Sequence, residues 1–88
     1  MPVSTDERVA LLRRWKESNP LVRYCREHGF KLMDAAALIG ISYSALLEWT
    51  KGTAQPRDFR RIAEFMGPVN EQDLRSRWDK WLKQRPRS

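Results

Sequence analysis

The sequence predicts an all-α fold, a small orthogonal bundle of five to six helices that contains a helix-turn-helix. Three observations carry that expectation. Apolar residues recur three and four positions apart from Val9 to Leu82, and no alternating run reads as a strand. Cap-forming Ser and Asn residues and helix-ending Gly residues divide the chain into short segments. At 88 residues the chain has enough polymer for one modest core, so positions 1–88 are expected to form a single domain.

Ser4-Thr5-Asp6-Glu7 has the layout of a capping box, and the helix it starts, over 5–17, carries Val9, Leu11, Leu12 and Trp15 as a broad apolar face. Ser18-Asn19-Pro20 ends that helix and begins another, with Asn19 as cap and Pro20 at the first helical position. Leu21, Val22, Tyr24 and Cys25 supply its buried side, and Gly29 closes it after His28. The next segment, Leu32 to Ile39, is rich in alanine and closed by Gly40. Ser42 caps the helix after it, which carries Leu46, Leu47 and Trp49 and ends near Lys51-Gly52. Pro56 is expected to open a fifth helix with Phe59, Ile62, Ala63 and Met66 inward, stopped by Gly67-Pro68. Asn70, with Asp73 three residues on, starts the last helix over 70–84, where Leu74, Trp78, Trp81 and Leu82 share a face. The tail from Gln84 to Ser88 is expected to fray.

Helix, glycine turn, helix over 32–51 is the core motif of this layout, with the first and last helices as extensions. Two short helices meeting near a right angle must approach closely at the corner, which requires small residues there. Ala36 fits the close contact, and Gly40 supplies the positive φ that the turn needs. Ile41, Leu46 and Trp49 then lock the pair to the core, leaving Tyr43, Ser44, Ala45, Leu47 and Glu48 outward.

Composition narrows the function classes. Seventeen Lys and Arg against eleven Asp and Glu give a formal charge of +6, which favours a polyanionic partner. No segment approaches the roughly 20 apolar residues that span a bilayer, and Met1-Pro2-Val3-Ser4 lacks a signal-peptide layout, so a cytoplasmic protein with no membrane partner is expected. Cys25 is the only cysteine, and with His28 it provides only two potential ligands, so core packing is expected of it and no metal or cofactor. One His, no nucleophile beside a base and no Gly-rich phosphate cradle argue against an enzyme.

The run from Ala36 to Trp49, Ala-Ala-Leu-Ile-Gly-Ile-Ser-Tyr-Ser-Ala-Leu-Leu-Glu-Trp, resembles the XRE/Cro/C1 helix-turn-helix family of phage and bacterial repressors. The likeness continues through Gly52, Pro56 and Ile62-Ala63-Glu64-Phe65-Met66-Gly67, and spans roughly 21–67. It implies sequence-specific binding of double-stranded DNA, nucleoid association and a role in transcription. The second motif helix would enter the major groove, with Tyr43, Ser44, Ala45, Leu47 and Glu48 towards base edges. Lys51, Thr53, Gln55, Arg57, Arg60 and Arg61 would lie at the phosphates. Leu32 departs from the family, standing where many members carry a glutamine, and the outward surface of the second helix lacks the Arg, Gln or Asn that relatives often place there.

A homodimer would set two such helices about 34 Å apart, and Trp78 and Trp81 suit either the core or a dimer contact. Two further readings stay open: a protein-interaction adaptor docking a partner through Tyr43 and Leu47, and a DNA-binding protein of phage packaging or excision.

Overall fold

Most helix boundaries in the computed structural model, which describes residues 5–67 and 69–86, answer to a local hydrogen bond or a backbone constraint. The described residues form six α-helices: α1 (Thr5–Glu17), α2 (Pro20–Glu27), α3 (Leu32–Ile39), α4 (Tyr43–Lys51), α5 (Phe59–Met66) and α6 (Glu71–Lys83). No strand occurs among them. The fold class is therefore the expected all-α bundle.

Asn19 caps α2 by accepting from the amides of Leu21 at 2.9 Å and Val22 at 3.2 Å, and Pro20 follows at the first helical position. Ser42 Oγ accepts from Ala45 N at 3.1 Å to start α4, and Asn70 Oδ1 accepts from Gln72 N at 2.8 Å to start α6. Gly40 and Gly52 end α3 and α4 in the left-handed conformation, with φ of 89° and 78°. The expected Ser4 cap, the Pro68 stop and the end of the tail at Arg87 and Ser88 lie outside the described residues.

The fifth helix starts later than Pro56. Pro56 is buried in the loop, and Asp58 is the cap, its Oδ1 accepting from Arg60 N at 2.9 Å. An aspartate that reaches an amide two residues on satisfies one of the helix's orphan donors, whereas proline only tolerates the first turn. The four expected inward residues of this helix, Phe59, Ile62, Ala63 and Met66, are all buried.

The core runs through every helix, from Trp15 through Leu21, Ala35, Leu46 and Ile62 to Leu74 and Trp78. Trp15 and Trp81 tie the ends of the chain together. Their rings lie parallel with centroids 4.2 Å apart, and each indole Nε1 donates to the other residue's carbonyl, at 2.6 Å and 2.7 Å. The first helix otherwise departs from expectation: Val9 and Leu11 are exposed, Leu12 is half-buried, and only Trp15 is buried. Its C-terminal end is clasped by the body of the protein, and positions 5–11 before it are exposed.

Candidate nucleic-acid interface

Between α3 and α4 the chain turns by 113°, within the range of a helix-turn-helix corner. The residues at the corner are small for a physical reason. Ala35 and Ala36 are buried in the core, and the Ala36 carbonyl accepts from both Gly40 N at 2.9 Å and Ile41 N at 3.0 Å. A larger side chain at either alanine would push the helices apart. Leu46 is fully buried on the inner face of α4. Three expected core positions sit differently. Gly40 is exposed, and a Cβ built on it meets only Arg61 Nη1 at 3.9 Å, so its role is the positive φ and not close packing. Ile41 and Trp49 are half-buried, packed against the core while lining a surface groove.

The expected reading residues divide by exposure. Tyr43, Ser44 and Glu48 are exposed on α4, whereas Ala45 and Leu47 are half-buried on its flanks. Thr50, which the motif pattern does not single out, is buried one turn after Leu46, and its Oγ1 donates to the Leu47 carbonyl at 3.1 Å. Its position four residues after Leu46 is the available signal, since the two share one helical face.

Hydrogen bonding sorts the expected phosphate contacts. Thr53 Oγ1 donates to the Glu48 carbonyl at 3.1 Å, closing the end of α4, so its only hydroxyl donor is committed within the chain. Gln55 Nε2 donates to Asp79 Oδ1 at 3.1 Å, tying the loop to α6. Arg60 forms an exposed ion pair with Glu64 at 3.5 Å, a contact weak enough to exchange for another anion. Lys51, Arg57 and Arg61 are exposed and make no ion pair among the described residues.

Arg57 and Arg61 line the groove between the α3–α4 turn and the loop after α4, together with Asp58, Ile39, Ile41 and Trp49. Arg61 thereby reaches the turn itself, where its guanidinium lies beside Gly40. The acids nearest in sequence are Glu48 on α4, Asp58, which caps α5, and Glu64, which pairs with Arg60.

Trp78 and Trp81, which suited either core or dimer contact, are 0% and 3% exposed, and Trp78 packs edge-on against Phe59. They belong to the core of this chain. Cys25 is buried, and desolvation raises its thiol pKa above the ordinary value. His28 is exposed with its ring 4.2 Å from that of Tyr24, and no group of three or more His, Cys, Asp or Glu among the described residues is placed to hold a metal ion. No single helix is long and apolar enough to cross a membrane among the described residues.

Comparison with protein-family models, with curated proteins and with solved structures finds no match to this chain.

Proposed function

We propose that this protein binds double-stranded DNA in a sequence-specific manner as a transcriptional regulator of the XRE/Cro/C1 type, acting in the cytoplasm at the nucleoid. The observation that carries the reading is the position of Lys51, Arg57 and Arg61, three exposed cations without an ion-pair partner among the described residues, at the end of α4 and along the groove beside the 113° corner. A cation with no carboxylate to give up exchanges only water and counterions when it meets a phosphate. The exposed face of α4 supplies the base contacts: the Tyr43 and Ser44 hydroxyls can donate or accept, and Glu48 can accept from a cytosine amino group. Glu48 repels phosphates, so affinity rests on the cations that follow and selectivity on a short set of polar contacts.

Duplex binding measured across a salt series tests this. Affinity is expected to fall steeply between low and moderate salt, and the double variant Arg57→Ala/Arg61→Ala is expected to flatten the log-log slope by about 2, near 0.9 for each phosphate that is no longer neutralised. A salt-independent affinity, or a slope unchanged in the double variant, would overturn the proposal. Selection of bound fragments from random duplexes then identifies the site, and a pool with no enriched sequence would remove the specific part of the reading.

A further inference from the structure

On α2, Arg23, Tyr24, Glu27 and His28 fall three and four residues apart along one face, and on α6 Arg77, Lys80 and Trp81 do the same. The two faces line one open groove of about 840 Å³, to which Met66 and Val69 add apolar surface. Its apolar residues, Tyr24, Met66, Val69 and Trp81, are buried or half-buried, whereas Arg23, Arg77 and Lys80 are exposed. The groove therefore has an apolar floor and a basic rim.

Little offsets that rim. Glu27 is the one carboxylate among the lining residues, and its 3.9 Å pair with Arg23 is solvent-exposed and weak. Arg77 and Lys80 make no ion pair among the described residues. The lining shares no residue with the groove that holds Arg57 and Arg61, so this surface is separate from the candidate DNA site.

Cations around an apolar floor suit a ligand that carries carboxylates beside an apolar side chain. A nucleic acid fits less well. Single strands bind cationic grooves by stacking bases on open aromatic faces. Here Trp81 is 3% exposed and stacked on Trp15, and Tyr24 packs against His28 at 4.2 Å and edge-on against Phe65 at 5.5 Å. A duplex would bring phosphates to the rim and nothing apolar to the floor.

We propose that the α2–α6 groove docks an acidic peptide segment of a partner protein. A bulky apolar side chain of the segment lies against Tyr24 and Val69, which are only half-buried, and its carboxylates meet Arg77 and Lys80. Arg23 supplies a third cation once its weak pair with Glu27 opens. Apolar burial holds the segment, and the rim selects against neutral and basic sequences. The proposal goes beyond DNA binding and does not rest on it.

Selection of random displayed peptides on the full chain tests it without DNA. Enriched sequences are expected to be acidic and to carry at least one bulky aliphatic or aromatic residue. A pool with no enrichment, or one enriched in neutral or basic sequences, would overturn the proposal. The most enriched peptide, fluorescently labelled and titrated by anisotropy, is expected to bind Arg77→Glu/Lys80→Glu at least about tenfold more weakly than the unaltered chain. Both positions are exposed, so this variant should keep its circular-dichroism spectrum and unfolding midpoint. Alanine in place of the peptide's apolar residue is expected to weaken binding by about tenfold as well, a loss that charge attraction alone would not produce. Arg57→Ala/Arg61→Ala is expected to bind the peptide as the unaltered chain does. Affinity that survives either the Arg77/Lys80 reversal or the peptide's alanine, or that is lost with Arg57 and Arg61, would reject the groove as the docking site. An oligonucleotide, single-stranded or duplex, that displaces the peptide from the Arg57→Ala/Arg61→Ala protein would assign the groove to nucleic acid and equally overturn the proposal.

Discussion

At the α3–α4 corner, contacts are made by alanines and backbone groups, whereas where α1 meets α6 two indole rings stack and bond reciprocally across 66 residues of sequence. Both regions grip α4, the first at its beginning and the second at its end, where Trp15 packs on Gly52. The corner keeps its side chains short so that two helices can approach, and its outer surface stays available for a partner. The clasp buries large aromatic area and presents little to solvent. The clasp thus holds the larger buried aromatic contact, and the proposed recognition surface lies at the corner, with the two joined through one nine-residue helix.

The sharpest way to break that division is to remove one indole. Trp15→Ala deletes the stacked ring, leaves the Trp81 carbonyl without its buried donor and frees the last anchored turn of α1. A loss of about 3–5 kcal/mol is expected in urea unfolding, a large part of the stability of a domain this size. A loss under about 1 kcal/mol would show that the clasp does not carry the fold.

Two glycines compare the regions directly. Gly40 and Gly52 both have positive φ, so alanine at either incurs the left-handed penalty of about 1–2 kcal/mol. At Gly40 the new Cβ has room, but at Gly52 it would lie 2.6 Å from Trp15 Cη2, and the ring is held by its stack on Trp81 and cannot swing aside. Gly52→Ala is expected to be the more damaging by at least about 1 kcal/mol, in keeping with the cost of overpacking. Equal unfolding midpoints for the two variants would contradict the geometry of the clasp. The smallest effect belongs to the corner: Ser42→Ala removes the single side-chain cap of α4 and should cost about 1 kcal/mol by denaturant titration. No change would mean that the exposed Ala45 amide is satisfied equally well by water.

Much of this was legible in the sequence where the controlling interaction is local. The caps at Asn19, Ser42 and Asn70 reach only two or three residues along the chain, and the glycine ends of α3 and α4 are set by backbone sterics at one position. The α5 start was misplaced because Pro56 competes as a signal with Asp58, and only the observed bond to Arg60 N decides between them. The apolar face expected for α1 was legible as a pattern, but the periodicity of Val9, Leu11 and Leu12 carries no information on whether anything lies opposite them.

The candidate interface divides in the same way. Its residues were identifiable by their place after the motif, yet which of them keep a donor for a partner depends on neighbours remote in sequence. Gln55 is committed to Asp79, 24 residues away, while Lys51, Arg57 and Arg61 have no ion-pair partner among the described residues. The sequence by itself determined the helices, their ends and the small residues at the corner, since each follows from groups within a turn or so of one another. Only the tertiary structure decided that Trp15 clasps Trp81, that α1 extends past its support and which cations remain unpaired. Those outcomes depend on packing between segments that the chain brings together only when folded.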